Sequence, residues 1–503
     1  MLVQSDLNKI EEIKKGIHAS IKNKGVDIPN NTPFEEYAEK VDSIKGGTTP
    51  DDIKLVKFNI DPYQITDQVT MHVTGAISVY KNVAVVEKGA TITYYASCDQ
   101  YEDTITQTVT VNTDMAVLIS MHKTGVIYGF SIDQTISNPS ISVSYIKGCD
   151  NEYYTPAFMN FSKNEYDWGD WKDAFFIGKP CMLKSNGEVD YYLDPNDYTK
   201  KMDGTDSDVT NINYDGNAMV EFPPIYIKRE QVGTTINVYI SNVKADEDYE
   251  AWNCKREDGT YNEHWYFAAY SGGGDRKGIV RSMSNVTPLS KKTFTQELDE
   301  ARANGSGWDV TWWADEDTLR MLFFLIHKNL NGRSVLGCEN SSTSTVSGNA
   351  NKLGLCYGYK TYSTYGAKFL GIENYYGLKP RRCNGLLLKG GNKYLVKMTK
   401  GQQDGTTTQD FNVNGTGYLQ LDIPVSQLNR YIKEQTATPY GLLASVLDAS
   451  LTTYYCSVWD RDTQLSIGSV GGISNESNVS SMSFKPSTST TNNMSSSLSY
   501  HAP

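Results

Sequence analysis

The sequence predicts a multidomain, β-rich protein of the α+β class. Length is the first observation, because 503 residues allow about three domains at roughly 150 residues per domain. The second is a change of pattern, since helical spacing of apolar residues near the N-terminus gives way to the alternation typical of strands. The third is composition: 39% of the residues are hydrophobic and 21% are charged, which suits packed cores rather than a disordered chain.

The first predicted segment, residues 1–47, is a pair of helices. Apolar residues recur at helical spacing after Asp6, a suitable N-cap, and a second helix begins at Thr32 and ends at Gly46. Because so short a helical pair buries little surface, we expect its apolar stripes to face copies of the chain or a larger assembly. A capping hairpin packed on the next domain is the alternative.

Residues 52–147 predict an immunoglobulin-like β-sandwich that acts as a spacer. About seven short runs alternate apolar and polar residues and are separated by Asp, Asn, Gly and Lys turns. His72 and His122 each stand alone, without the neighbours that a catalytic site requires.

Residues 150–503 form a longer region of strands, turns and two helices, with a further domain boundary considered near residue 290. Thr293 is the predicted N-cap of the first helix and Asp315 of the second. His327 lies at the end of the second helix, where an imidazolium would complement the helix dipole.

Charge and hydropathy exclude two classes of partner. The formal net charge of −12 opposes the basic field that binding to nucleic acid requires. No apolar run approaches the roughly 20 residues that cross a bilayer, so we expect no membrane insertion. The N-terminus has no secretory signal pattern, which predicts a protein that stays in the cytosol or leaves it by lysis or within an assembly.

The sequence predicts neither a metal site nor a cofactor. The eight cysteines include no CxxC pair, which argues against zinc and against a disulfide framework. Three acidic residues, Asp203, Asp206 and Asp208, lie close together but lack the ligand spacing of a calcium loop. Turn chemistry is the favoured interpretation of this cluster.

The third region resembles the C-type-lectin-like fold over roughly residues 170–503. The resemblance depends on the two helices, on GIENYYG at residues 371–377, on GGNKYLVKM at residues 390–398 and on the late strand SSSLSY at residues 495–500. In particular, it resembles the version in phage receptor-binding and variable tropism proteins, which is related to the formylglycine-generating enzymes. Residues 22–44 are similar to segments near the start of phage tail and fibre proteins. The joint implication is a phage virion protein.

Departures from these families argue against their chemistry. The sulfatase-modifying enzymes carry a paired-cysteine copper site near an Arg-Gly-Gly-Ser motif, whereas residues 471–474 read GGIS with no cysteine beside them. The Glu-Pro-Asn and Trp-Asn-Asp triplets of calcium-dependent lectins are also missing at matching places. We therefore expect a protein that is not an enzyme and binds no catalytic metal.

A late aromatic and polar cluster is the predicted ligand-binding site. Rigid rings beside adaptable hydrogen-bonding groups suit a glycan or a protein epitope. Strand alternation would nevertheless turn every second ring inward. The predicted residues are Tyr454, Tyr455, Trp459, Asp460, Arg461, Asp462, Ile473 and Asn475.

The expected function is that of a tail or head fibre that attaches the virion to a glycan or protein of the host surface. The N-terminal helices would bind other virion structural proteins, and avidity favours a homotrimer on the virion, assembled in the host cytoplasm. A baseplate or capsid decoration protein is one alternative. A glycan-degrading enzyme is another, with Glu373, Asp315 and Glu316 as candidate carboxylates.

Overall fold

The computed structural model divides the chain into two compact units, residues 1–124 and residues 125–503. It describes residues 15–30, 32–33, 36, 40, 52–61, 63–98, 101–121, 125–276, 278–339, 346–363, 367–377, 379–390, 393–400, 410–423, 430–450, 453–454, 458–461, 464–471, 478–490 and 494–503. Strands far outnumber helices among these residues, which confirms the β-rich class.

The N-terminal prediction of two helices can be compared with the structure only in part. Residues 15–23 are helical, and Ile17, Ile21, Val26 and Ile28 pack together at the end of this helix. Nearly all of the predicted second helix lies outside the described residues.

Seven strands of the first unit form two sheets. They are β1 (Ile53–Asp61), β2 (Thr70–Thr74), β3 (Ser78–Tyr80), β4 (Val83–Glu87), β5 (Thr91–Ser97), β6 (Gln107–Thr110) and β7 (Met115–Ser120). One sheet has the order β3-β4-β1-β7 and the other β2-β5-β6. Alternate residues of β1, such as Val56 and Phe58, are buried in a core that both sheets share. The lone His72 is structural: its ring stacks on Tyr95 and its Nε2 lies 2.8 Å from the hydroxyl of Ser97.

The second unit contains twenty-five described strands. They are β8 (Ile127–Asp133), β9 (Val143–Tyr145), β10 (Phe158–Asn160), β11 (Glu165–Asp167), β12 (Lys179–Lys184), β13 (Val189–Asp194), β14 (Asp197–Lys201), β15 (Gly216–Phe222), β16 (Tyr226–Val232), β17 (Thr235–Ser241), β18 (Trp265–Ala268), β19 (Gly273–Arg276), β20 (Ile279–Arg281), β21 (Trp308–Val310), β22 (Gly337–Glu339), β23 (Tyr359–Ser363), β24 (Arg381–Lys389), β25 (Lys393–Val396), β26 (Leu419–Leu421), β27 (Arg430–Thr438), β28 (Gly441–Asp448), β29 (Val458–Arg461), β30 (Ser466–Val470), β31 (Met482–Pro486) and β32 (Leu498–Tyr500).

Three larger sheets organise these strands. Their orders are β14-β13-β12-β15-β18-β32-β21, β16-β17-β8-β9 and β26-β25-β24-β30-β31-β29-β27-β28. One continuous hydrophobic cluster runs from Tyr128 to Tyr500 and includes residues on both sides of position 290. The boundary considered there is therefore not a division between compact units.

The predicted sandwich ends too late at residue 147. Strands β8 and β9 fall inside that prediction. However, β8 pairs with β17 in an antiparallel register that places Ile127 opposite Ser241 and Asp133 opposite Thr235, and β9 pairs with β8. Both strands belong to the second unit. Alternation reveals that a segment is a strand, but it does not reveal which distant strand becomes its neighbour.

Three described helices belong to the second unit: α1 (Phe294–Arg302), α2 (Trp313–His327) and α3 (Gly332–Leu336). Thr293 caps α1 as predicted, within a capping box in which its side chain accepts from the backbone N–H of Gln296. Helix α2 begins two residues before Asp315, so the predicted cap is instead an N3 residue whose carboxylate accepts from the backbone N–H of Trp312.

Helix α2 is buried on every side, although the sequence predicts only an apolar stripe. All 15 of its residues are buried, including Asp315, Glu316, Asp317 and Arg320. Its charged side chains are therefore held in internal ion pairs rather than in water. Within the described part of the chain, no helix combines the length and apolar character that a membrane span needs.

Candidate functional site

Tyr454, the first residue of the predicted ligand-binding cluster, is a core residue. Its side chain is fully buried, and its hydroxyl donates to Oε1 of Gln134 at 2.9 Å. The same Gln134 oxygen accepts from the backbone N–H of Gln435 at 2.7 Å. Burial raises the pKa of the Tyr454 phenol, which stays neutral. A surface contact at Tyr454 was the wrong expectation.

The other seven predicted site residues remain a prediction. Trp459, Asp460 and Arg461 contribute backbone to β29, which runs parallel to β31. Their side chains lie outside the described residues, as do Tyr455, Asp462, Ile473 and Asn475.

The carboxylates considered for glycan cleavage are buried and internally bonded. Glu316 forms a two-point ion pair with Arg381 at 2.9 and 3.0 Å. Asp315 lies 3.0 Å from Nε2 of His501. Glu373 accepts from two backbone N–H groups at 2.8 and 3.0 Å. All three carboxylates are thus held by hydrogen bonds or ion pairs within the fold.

The acidic cluster near residue 206 has the predicted turn chemistry. Asp203 accepts from the backbone and hydroxyl of the residue two positions later, and Asp206 pairs with Lys200 at 2.6 Å. Asp208 accepts from the hydroxyl of Tyr191 at 2.9 Å. Among the described residues, no three His, Cys, Asp or Glu side chains are grouped to hold a metal ion.

A different feature of the second unit has the character of a ligand site. It is a cavity of about 560 Å³ that we name the Trp168 cleft. The ribbon β10–β11, the turn between β13 and β14, and the chain from residue 352 to 357 enclose it. Its lining residues are Asn164, Glu165, Tyr166, Trp168, Lys172, Ile177, Pro195, Asn196, Lys352, Leu353, Gly354, Leu355, Cys356 and Tyr357.

Two rings form the aromatic wall of the cleft. Trp168 and Tyr166 meet edge to face, with ring centroids 4.9 Å apart and planes at 81°, and both are half-buried. Gly169 follows with a φ of +52°, and a side chain there would collide with the backbone carbonyl of Thr155. This tight turn holds Trp168 at the end of the ribbon.

His327 supports the wall from behind. The hydroxyl of Tyr166 lies 2.8 Å from Nε2 of His327, and Nδ1 of the histidine lies 3.0 Å from the carbonyl oxygen of Phe323. A neutral ring satisfies both contacts by donating from Nδ1 and accepting at Nε2. Burial lowers the pKa of His327 to about 3. The expected imidazolium at this helix end is therefore wrong, because the ring has no access to water.

Polar groups surround the apolar wall. The side chains of Glu165, Lys172, Asn196 and Lys352 are exposed along the rim. Asn164 adopts a left-handed backbone with a φ of +58°, and its side-chain oxygen accepts from the hydroxyl of Tyr357, another lining residue. Rings beside amides and ammonium groups can stack on the apolar face of a sugar and hydrogen-bond its hydroxyls.

The sequence alone did not predict this cleft. The one available signal was the density of aromatic and amide residues in FSKNEYDWGDWKD at residues 161–173. Residues 352–357 complete the cleft from far along the chain, which no local pattern reveals. No protein-family model and no curated protein matched the sequence.

Proposed function

We propose that the protein is a phage structural protein, a tail or head fibre, and that its second unit attaches the virion to a host-surface glycan in the Trp168 cleft. The observation that carries this proposal is the combination of a half-buried Trp168 ring with exposed amide and ammonium groups around a 560 Å³ cavity. A cavity of that size suits a short saccharide.

The composition of the lining favours binding over hydrolysis. Glycoside hydrolysis by the usual routes needs two carboxyl groups across one bond. Among the described lining residues of the Trp168 cleft, Glu165 is the one carboxylate. The three candidates from the sequence, Asp315, Glu316 and Glu373, are buried elsewhere in the fold.

The domain roles in this proposal follow the order of the chain. The first unit, with two sheets over one core, serves as an immunoglobulin-like spacer, and the second serves as the lectin-like head. The segment before residue 48 joins the fibre to other virion proteins. A homotrimer would present three clefts to one surface, which multiplies weak sugar affinity by avidity.

Loss of the Trp168 ring tests the binding site. We expect the full-length protein to bind at least one member of an array of bacterial surface polysaccharides. W168A should weaken that binding by ~10-fold or more, because a stacked tryptophan is a typical hot-spot residue. The matched control is Y153A, which removes an aromatic ring that is 88% exposed in the same unit and outside the cleft.

Two results would contradict this assignment. Absence of binding to every polysaccharide by the wild-type protein would overturn the glycan ligand. Equal binding by W168A and wild type, with equal melting temperatures, would exclude the cleft as the site. Immunogold labelling of intact virions with an antibody against the second unit tests the fibre role separately.

A further inference from the structure

Buried charge collects on one face of helix α2, away from the Trp168 cleft. Trp313, Glu316 and Arg320 are three and four residues apart, so they share that face. They enclose a small cavity of about 10 Å³ together with residues from β24, β30 and two loops. The remaining lining residues are Tyr375, Arg381, Val470, Gly471 and Val479.

The charges around this cavity do not cancel. Arg381 is neutralised by the two-point ion pair with Glu316 and also donates to two backbone carbonyls. Asp317, the next residue on the helix, pairs with two guanidinium groups, those of Arg229 and Arg320. Among the described residues, three buried cations thus face two buried carboxylates, an excess of one positive charge in this cluster.

The neighbouring acids that the structure describes do not remove the excess. Asp315 is bonded to His501 instead. Glu434 on β27 is half-buried, and no ion pair joins it to Arg229 or Arg320. Arg229 and Arg320 therefore share Asp317, and within the described residues no second carboxylate pairs with either of them.

Arg320 carries unused donors at the cavity. Its side chain is 3% exposed, and its Nη2 donates to Oδ1 of Asp317 and to the carbonyl oxygen of Leu442, both at 2.6 Å. Its Nε and Nη1 have no hydrogen-bond partner among the described residues. A buried guanidinium with two unmet N–H groups is costly unless something accepts from it.

We propose that this cavity binds one monatomic anion of the halide class, with chloride as the physiological example. A cavity of about 10 Å³ accommodates a single atom of roughly water size and excludes phosphate, sulfate or carboxylate ligands. Water can accept from the Arg320 N–H groups, but only an anion also balances the excess charge. The anion would be a structural ligand that fixes α2 against β24 and β30.

Bromide provides a direct test, because it replaces chloride and scatters anomalously. Crystals of the full-length protein grown in sodium bromide should show an anomalous peak in the cavity in contact with the Arg320 guanidinium. In solution, the melting temperature of the second unit should rise with the logarithm of chloride concentration, against sodium gluconate at equal ionic strength.

Variants separate the anion from general effects of salt. R320M removes the excess charge and V479L fills the cavity, and each should abolish the chloride dependence of the melting temperature. V143L, a matched change at a buried position on β9, should retain it. V479L keeps the test decisive if R320M does not fold.

Three outcomes would overturn the proposal. The first is a wild-type melting temperature that is equal in chloride and gluconate. The second is a cavity without an anomalous peak, filled by water. The third is density showing the chain's own Glu476 carboxylate as the counter-charge.

Discussion

Tyr454 and Trp168 both come from aromatic-rich stretches of the sequence, yet one is a core residue and the other lines a cleft. The environment of Tyr454 depends on Gln134, which is 320 positions away in the chain. That of Trp168 depends on residues 352–357. Composition predicts that such rings are at least partly buried against other groups. Long-range packing decides whether those groups belong to the core or to a cleft. The ligand-binding cluster was for that reason only a hypothesis.

His327 makes a testable prediction at the scale of one residue. Its pKa is about 3 in the folded protein against an ordinary value near 6.5. Between those values the unfolded chain binds a proton that the folded chain does not, so stability rises with pH and is lost as the pH falls. For this one group, the slope of the free energy of unfolding against pH approaches about 1.4 kcal/mol per pH unit.

The substitution H327Q should remove that part of the pH dependence. Urea unfolding at several pH values between 4 and 7 measures it, and tryptophan fluorescence is a selective probe because all 8 tryptophans lie in the second unit. H264Q, at a side chain that is 42% exposed, is the control and should keep the wild-type slope. Identical slopes for H327Q and wild type would show that His327 is not held neutral.

At the scale of elements, helix α1 was predictable and helix α2 only partly so. The capping box at Thr293 is local chemistry that can be found in four consecutive residues. The start of α2 was misplaced because Trp312 and Trp313 carry no capping signal. Its complete burial depends on sheets that assemble from distant strands, so the ion pairs of its charged face could not be foreseen.

Strand β32 is expected to be the most sensitive element of the seven-stranded sheet. Ser499 lies between Phe267 of β18 and Asp309 of β21, and its hydroxyl donates to the carbonyl oxygen of Val310 at 3.1 Å. S499P removes a backbone donor from this inner strand, which is paired on both sides, so the second unit should unfold or become sensitive to protease. Limited proteolysis and circular dichroism measure this.

The control is a proline on an edge strand. Ser445 lies on β28, at the edge of the eight-stranded sheet. Its neighbours Ala444 and Val446 have paired residues in β27, whereas Ser445 itself falls at an irregularity and has none. S445P should therefore leave the fold intact. Equal protease resistance of S499P and wild type would argue against the pairing of β32 with strands on both sides.

At the scale of the whole molecule, the class of the fold was predictable and its division was not. Alternating runs in residues 52–147 correctly indicated strands, and both β8 and β9 are among them. Their assignment to the first unit was wrong because β8 pairs with β17, which lies about a hundred residues further along the chain, and β9 pairs with β8. Strand patterns establish the number of strands more reliably than the membership of sheets.

The boundary can be tested by expressing parts of the chain. A fragment of residues 125–503 contains β8 and β9 and should fold with a cooperative thermal transition. A fragment of residues 150–503 lacks both strands and also Gln134, so we expect it to aggregate or to melt without cooperativity. Equal melting curves for the two fragments would instead support a domain boundary near residue 150.

Strand β32 also has a consequence for synthesis of the protein. It separates β18 from β21 in the sheet, although both are made long before residue 498. At roughly 5–20 residues per second, β18 leaves the ribosome on the order of ten seconds or more before this partner exists. During that interval the edge of β18 that pairs with β32 is open to other nascent chains, so we expect folding of the second unit to benefit from chaperones or from rapid completion of translation.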